Sequence, residues 1–147
     1  MSVSSESAEK QRRIDGFLDA GGYDAVLLAR TENFAWFTGG GNSFVCLAQE
    51  AGVGALLVQR DRRILITNNV ERPRLLEEEL AGLSLGEDIS PWVDDALGPA
   101  VARVAAGQRI AADVPLPGAV ECASEIAGLR ASLTPEEVER YRAVGQA

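Results

Sequence analysis

Short apolar runs that alternate with helical segments constrain the fold of this chain more than any other feature. The run Ala25–Ala29 lies between turn signals. A short continuous apolar run of this kind is typical of a strand buried on both faces of a sheet. Asp61-Arg62 has the character of a hairpin turn, which predicts that part of the sheet is antiparallel. Further strands are predicted at Phe44–Ala48, Val53–Gln59, Arg63–Thr67, Leu83–Leu85 and Arg109–Ala112.

Helices are predicted between these strands. The expected segments are residues 8–20, Glu32–Phe37 capped by Thr31, Asn68 or Asn69 to Leu80, a helix that Ser90-Pro91 opens and that reaches Val104, and Ala119–Gly128. Apolar side chains at helical spacing and Ser, Thr or Asn caps support them. The alternation, interrupted by a hairpin, predicts a three-layer α/β/α domain whose mixed sheet is partly parallel and partly antiparallel.

The segment Leu133–Val138 carries the clearest helix start in the chain. Thr134 is the expected cap, Pro135 occupies the first helical position and Glu137 completes a capping box. We therefore divide the chain into a disordered tail (residues 1–7), one domain (8–132) and the start of a linker helix (133–147) that leads into a further domain. The alternative is a terminal helix packed on the domain.

Composition excludes several classes of site and partner. The chain contains no histidine, so a Ser-His-Asp triad, a Cys-His pair and a His-ligated metal are excluded. Cys46 and Cys122 are interpreted as free, buried thiols in a reducing cytoplasmic compartment, with one disulfide between them as the alternative. A net charge of −8 argues against nucleic acid. The apolar runs are too short for a membrane span, which requires about 20 residues.

The Gly-rich segment Thr38–Ser43 is the first candidate site. Exposed backbone N–H groups there would hold an anion or a peptide carbonyl, and the alternative is a flexible connector. The segment lacks the Gly-Lys-Ser/Thr of a P-loop, and it precedes a strand, which is the reverse of a dinucleotide-binding turn.

Charged side chains give weaker signals. Adjacent carboxylates, at Glu77–Glu79, Asp94-Asp95 and Glu136-Glu137, point in different directions on a helix and are interpreted as solvated faces. Arg72 is either a bidentate clamp for a carboxylate or a solvated residue. Lys10 is the sole lysine and lies in a helix predicted to fray, so we do not expect catalysis by this chain alone.

Five segments, in their order and spacing, resemble the N-terminal domain of the creatinase/prolidase family, the pita-bread metallopeptidases. They are Asp24–Leu28 (similar to the family's "DALLV"), Glu32–Gly39 (similar to "P-E-N-hydrophobic-x-aromatic-L-T-G"), the hairpin Ala55–Thr67, the following helix Asn68–Leu75, and Leu129–Glu139 (similar to the "LR…KSPEEIE" linker). The resemblance covers nearly the whole chain and implies a creatinase N-terminal domain-like fold with a ribonuclease H-like motif.

The resemblance also implies a function. The family's catalytic domain holds two divalent metal ions (Mn, Co or Zn) with two Asp, one His and two Glu, all beyond the linker, so no metal or catalytic residue is expected in this chain. The N-terminal domain helps to form a homodimer, and its loop reaches the partner subunit's active site, where a short proline-containing peptide binds. The loop residues carried over are Gly40, Gly41, Asn42, Ser43 and Phe44, and the further substrate contacts are Asn69 and Arg72.

Two positions depart from the commonest family pattern. Asn68-Asn69 stands where many members have Asp, a small residue and Arg, and Phe37 stands where Leu is usual. The expected function is thus the non-catalytic N-terminal domain of an Xaa-Pro aminopeptidase or dipeptidase, with the substrate preference open. The alternatives are a stand-alone binding module without catalysis and the N-terminal domain of a creatinase-type C–N hydrolase.

Overall fold

The computed structural model describes residues 4–94 and 96–147. Within these residues, six strands form one mixed sheet in the order β4-β3-β2-β1-β5-β6. The strands are β1 (Ala25–Arg30), β2 (Ala51–Val58), β3 (Arg63–Asn68), β4 (Gly86–Ser90), β5 (Ile110–Ala112) and β6 (Ala119–Glu121). β2 pairs antiparallel with β1 and β3, whereas the pairs β1–β5, β3–β4 and β5–β6 are parallel. The predicted mixed sheet with its hairpin is confirmed.

Helices cover both faces of the sheet. They are α1 (Ser5–Gly21), α2 (Thr31–Thr38), α3 (Arg72–Arg74), α4 (Leu97–Val104), α5 (Ala123–Leu129) and α6 (Pro135–Gln146). α3 is one turn that continues into a π-helical turn over Leu75–Glu79, and a 3₁₀ turn over Trp92–Asp94 precedes α4. Apolar side chains of α1, α2 and α5 pack on one face and those of α4 on the other. The predicted three-layer α/β/α architecture is confirmed.

The central strand β1 shows why both faces are covered. Val26 and Leu28 contact the layer that contains α1, and Ala25 and Leu27 contact the layer that contains α4. All four are fully buried. A continuous apolar strand fits only where neither face of the sheet meets water.

Two helix starts differ from the prediction. α1 begins at Ser5, within the predicted tail, because the Ser4 side chain accepts a hydrogen bond from the Ser7 N–H at 3.2 Å and caps the helix. Residues 1–3 of that tail lie outside the described residues. α2 forms as predicted, but Thr31 is its first helical residue and not its cap.

The predicted strand Phe44–Ala48 is wrong. The segment turns instead, with the Gln49 N–H donating to the Cys46 carbonyl at 3.2 Å. Topology explains the difference, because β1 and β2 already have a strand on each side. No free edge remains where this segment leaves α2, so its backbone runs through a loop.

The segment after the Pro-rich turn is also different from the prediction. Residues Ala119–Glu121 form β6, and α5 begins only at Ala123. β5 offers a free edge, and Val120 lies opposite Ala111 in a parallel register. Edge pairing therefore takes precedence over helix formation for these three residues.

The chain around β3 and β4 shifts relative to the prediction. The Asn68 side chain accepts hydrogen bonds from the N–H groups of Val70 and Glu71, both at 3.0 Å, so the helix starts only at Arg72. The strand predicted at 83–85 forms at 86–90 instead. Ser90 is the end of that strand rather than a helix cap, and the predicted helix divides into the 3₁₀ turn and α4, with position 95 outside the described residues.

α6 begins where the sequence predicts. The Glu137 N–H donates to Thr134 Oγ1 at 3.2 Å, and the Thr134 N–H donates to Glu137 Oε2 at 2.8 Å, which is the expected capping box. Glu137 in the first turn and Arg140 in the second bind α1, whereas residues 139–147 are all exposed. The domain boundary at residue 133 stays a prediction.

Candidate functional site

The candidate loop begins with two glycines in left-handed conformations. Gly39 has φ +77° and Gly40 has φ +120°, which let the chain turn away from α2. Gly41 follows in a space without room for a side chain, since an added Cβ would lie 2.7 Å from Thr38 Oγ1 and 3.2 Å from the Glu79 carbonyl oxygen. We call Gly39–Ser43 the loop stem. Its path is fixed by close contacts.

Hydrogen bonds hold the loop stem against the π-helical turn. The Asn42 N–H donates to Glu79 Oε2 at 2.8 Å, and Arg74 Nη1 donates to the Asn42 carbonyl at 3.0 Å. Ser43 is 1% exposed, and its carbonyl accepts from the Val53 N–H at 2.8 Å. The stem is therefore anchored at two places, on the π-helical turn and on β2.

These contacts change the interpretation of the Gly-rich segment. The backbone N–H groups of Gly40, Gly41, Asn42 and Phe44 all donate hydrogen bonds to oxygen atoms within the domain, at 2.8–3.0 Å. A backbone anion site would need several of these donors to face outward. The anion-binding interpretation is therefore wrong for these four donors, and so is that of a flexible connector.

The loop tip (Phe44–Glu50) exposes apolar side chains. Phe44 is 40% exposed, Val45 63% and Leu47 86%, and Cys46 is also exposed. The tip returns to the domain where the Thr31 N–H donates to the Glu50 carbonyl at 3.1 Å. An anchored stem thus presents a short apolar projection, a feature of interaction surfaces. The interpretation of Cys46 as buried is wrong, whereas Cys122 is buried and both thiols are free.

Asn69 directly follows β3, and Arg72 is the first residue of α3. Asn69 Oδ1 accepts from the Trp92 N–H at 2.8 Å. Arg72 forms a bidentate ion pair with Glu87, with Nε to Oε2 at 2.6 Å and Nη2 to Oε1 at 3.0 Å, and hydrogen bonding to this carboxylate raises the Arg72 pKa. Arg72 is the clamp that the sequence suggested, but the carboxylate it holds belongs to the same domain.

Sequence reasoning missed Arg74 and Glu79, which join this region to the loop stem. Arg74 Nη1 lies 3.4 Å from Glu79 Oε1, and both residues bind Asn42. Glu79 was interpreted as part of a solvated face because it ends a run of three glutamates. The sequence offers one signal for this contact, which is that Arg74 and Glu79 carry opposite charges five residues apart. The π-helical turn between them brings the two side chains together.

A second polar cluster joins α1, α2 and α6. Lys10 is 1% exposed, with its ammonium 2.6 Å from Glu6 Oε1 and 3.0 Å from Glu137 Oε1, and it also donates to the Trp36 carbonyl. Arg140 binds Glu6 through two hydrogen bonds, at 2.7 and 2.9 Å. The hydrogen bonds from Arg140 and Lys10 outweigh burial and lower the Glu6 pKa to about 2.

Glu137 occupies the same cluster from the α6 side. Burial raises its pKa, but the Thr134 N–H and Lys10 more than offset this, so the net effect is a lowered pKa. The interpretation of Glu136-Glu137 as a solvated pair is therefore wrong for Glu137. Lys10 is likewise not in a frayed helix.

A groove lies beside this cluster, between α2 and α6. Its volume is about 490 Å³, and its lining is predominantly apolar. The residues that line it are Lys10, Glu32, Ala35, Trp36, Gly39, Gly40, Arg130, Leu133, Glu137, Arg140, Tyr141 and Val144. Gly39 and Gly40 belong to the loop stem, so the groove and the loop are neighbours on the surface.

Asp113 fixes the start of α2 and, through α2, the position of the loop stem. Its buried carboxylate accepts from the N–H groups of Ala29 (2.8 Å) and Arg30 (3.0 Å) and from Asn33 Nδ2 (2.8 Å). Burial raises its pKa, although these donors and Arg30 oppose that effect. From a distant part of the sequence, the carboxylate thus binds the end of β1 and the first turn of α2.

Neither a metal centre nor a membrane span is found in the described part of the chain. Residues 4–94 and 96–147 contain no group of three or more His, Cys, Asp or Glu side chains placed to hold a metal ion. In the same residues, no helix has the length and apolar character that crossing a membrane requires.

Comparisons with solved structures show where this architecture occurs. The prolidase from Pyrococcus horikoshii matches with a TM-score of 0.61 and 18% identity, covering 89% of this chain and 37% of that one. The Xaa-Pro dipeptidase from Bacillus anthracis matches with a TM-score of 0.59 and 17% identity, covering 90% and 38%. The N-terminal domain of the cytoplasmic peptidase PepQ from Mycobacterium tuberculosis matches with a TM-score of 0.52 and 22% identity, covering 83% and 84%. A search of curated proteins finds no significant match.

The mixed α/β fold is the architecture shared with these structures, and this chain spans under two fifths of the two first-named ones. Residues 10–144 match the Creatinase/Prolidase N-terminal domain family. The chain belongs to that family.

Proposed function

We propose that this chain is the non-catalytic N-terminal domain of a longer, cytoplasmic, metal-dependent Xaa-Pro aminopeptidase or dipeptidase. Family membership and the architecture shared with a prolidase and an Xaa-Pro dipeptidase support the proposal. The two divalent metal ions (Mn, Co or Zn) would activate water for attack on the peptide bond. Following the family resemblance, we assign the metals to the catalytic domain of the longer protein and none of their chemistry to this chain.

The contrast between loop stem and loop tip is the observation that carries the proposed role. Hydrogen bonds to Glu79 and Arg74 fix the stem, whereas Leu47 at the tip is 86% exposed. A fixed stem lets a projecting loop limit an opening at little cost in entropy when a ligand binds. In the proposed homodimer, the tip borders the partner subunit's substrate opening and restricts it to short proline-containing peptides.

The seven candidate residues contribute to that role in different ways. Gly40, Gly41, Asn42 and Ser43 shape the stem, and Phe44 begins the surface that faces the substrate. Asn69 and Arg72 already bind Trp92 and Glu87, so a substrate carboxylate would have to replace Glu87 before it could contact Arg72. We therefore place the main substrate contacts at the tip.

Enzyme kinetics on the longer gene product test this role. We expect turnover of Xaa-Pro peptides with added Mn²⁺ by the longer protein and none by the 147-residue chain. Val45→Ser with Leu47→Ser should raise KM by about tenfold through lost apolar contacts while kcat changes little. Val93→Ser is the matched control, since Val93 is 66% exposed and lies in the 3₁₀ turn.

Four results would contradict the proposal. Turnover by the 147-residue chain would assign the chemistry to this domain. If the tip variants have the same KM as the control, the loop tip does not contact the substrate. A reading frame that stops after Ala147 would favour a stand-alone binding module, and a downstream domain without metal ligands would favour a C–N hydrolase.

A further inference from the structure

The outer half of α6 carries an apolar stripe without a partner in the described structure. Tyr141 and Val144 are three residues apart, which places them on the same side of the helix. Tyr141 is 69% exposed and Val144 is 76% exposed. A helix of this length has little stability in water unless its apolar side packs against another element.

The inner half of the same helix is held firmly. Glu137 binds Lys10 at 3.0 Å, and Arg140 binds Glu6 at 2.7 and 2.9 Å. Both α1 partners are buried. These contacts fix the direction of α6, so the apolar stripe is presented at a defined position rather than on a mobile tail.

The groove between α2 and α6 continues this apolar surface. Its volume is about 490 Å³, and Tyr141 and Val144 form one wall while Ala35 and Trp36 form the other. The Trp36 Nε1 group is buried and has no hydrogen-bond partner in the described part of the chain. A buried donor without an acceptor costs free energy, which is consistent with an incomplete interface.

The charges on the groove rim are already paired. Arg130 lies 3.9 Å from Glu32, and Arg140 and Lys10 bind the α1 and α6 carboxylates. The rim therefore favours an apolar surface over a charged ligand. In the two prolidase-like neighbours, this architecture accounts for 37% and 38% of the chain, so most of each polypeptide lies outside the matched domain.

We propose that the groove between α2 and α6 receives an apolar surface of the catalytic domain in the same longer polypeptide, with the Lys10 cluster fixing the angle at which that domain is held. This inference rests on the proposed function, because it requires that such a domain exists. A second copy of the 147-residue chain is the competing occupant.

Amide hydrogen exchange of residues 139–147 tests the proposal. It is measured in the 147-residue chain and in the longer gene product. We expect exchange to be at least about tenfold slower in the longer protein. Burial of a side chain such as Tyr141 or Val144 makes local opening of the helix less favourable by roughly that factor. The variant Tyr141→Ser with Val144→Ser should abolish the difference. Arg142→Ser should not, because Arg142 is exposed and pairs only with Glu139 among the contacts described.

Three outcomes would overturn the docking proposal. Equal exchange in the two proteins would show that α6 stays uncovered. If the double variant of the longer protein exchanges as slowly as the unsubstituted longer protein, the contact that protects residues 139–147 does not involve Tyr141 and Val144. A dimer of the 147-residue chain in light scattering, dissociated by the double variant, would assign the groove to a second copy. If the longer protein hydrolyses Xaa-Pro peptides while exchange is unchanged, the docking proposal fails and the proposed function stands.

Discussion

Lys10 provides the sharpest test of how this domain is held together. Its ammonium lies between Glu6 and Glu137 and is 1% exposed. Replacing it in the variant Lys10→Met keeps a side chain of similar length in the same space. The change removes the positive charge and leaves two carboxylates on neighbouring helices without their shared partner.

The expected loss of stability at pH 7 is about 3 kcal/mol. Removing one member of a buried ion pair costs roughly 3–5 kcal/mol, because the remaining charge stays buried. Two features place this site at the lower end. Glu6 keeps its bidentate contact with Arg140, and Glu137 keeps the Thr134 N–H.

The loss should shrink in acid. The Glu6 pKa is lowered from its ordinary value of 4.5 to about 2, and the Glu137 pKa is also lowered. Carboxylates of this kind stabilise the fold fully above pH 4.5 and lose their contribution as the pH falls towards 2. As these carboxylates become protonated, the ion pairs that the ammonium makes with them are lost in wild type as well. The deficit of Lys10→Met relative to wild type should therefore be smaller at pH 3 than at pH 7, and it should approach its minimum only near pH 2.

Urea unfolding followed by circular dichroism, at pH 7 and pH 3, measures both effects. Arg12→Met is the matched control, since Arg12 lies on the same helix, is 75% exposed and pairs only with Glu9 among the contacts described. The control should lose at most about 0.5 kcal/mol. The reasoning is refuted if Lys10→Met is no less stable than Arg12→Met at pH 7, or if its deficit persists unchanged at pH 3.

Further substitutions test the other anchoring points. Asp113→Asn should lower the free energy of unfolding by about 2–4 kcal/mol, because the NH2 group that replaces one carboxylate oxygen faces at least one of the three buried donors and cannot accept from it; urea titration measures this, and a loss below 1 kcal/mol would contradict it. Gly41→Ala should lower the melting temperature, because the added methyl meets a hydroxyl and a carbonyl oxygen, whereas Gly16→Ala, in an open helical position, should raise it. Cys46 should react with a thiol reagent in the native state, and Cys122 only after unfolding; equal rates would refute the assigned burial.

The sheet could be predicted from the sequence because its signals are local. The apolar run of β1 and the turn between β2 and β3 each depend on residues close together in the chain, and both predictions are confirmed. The false strand Phe44–Ala48 and the missed strand β6 depend instead on which sheet edges are free. An edge becomes known only when the order of all strands is known, so composition and periodicity were insufficient for these segments.

The candidate site was harder to predict because its anchors are distant in sequence. Asp113 binds Asn33 of α2 across 80 residues, and Arg140 binds Glu6 across 134 residues. Lys10 has one partner nearby, Glu6, but its burial also depends on Glu137, which lies on the last helix. Sequence patterns identified the loop and the capping box, whereas the contacts that fix the loop stem and α6 arise only when remote segments meet. The two proposed surfaces, the loop tip and the groove, are therefore consequences of tertiary packing: each is held in place by buried polar contacts and left apolar on its outer side.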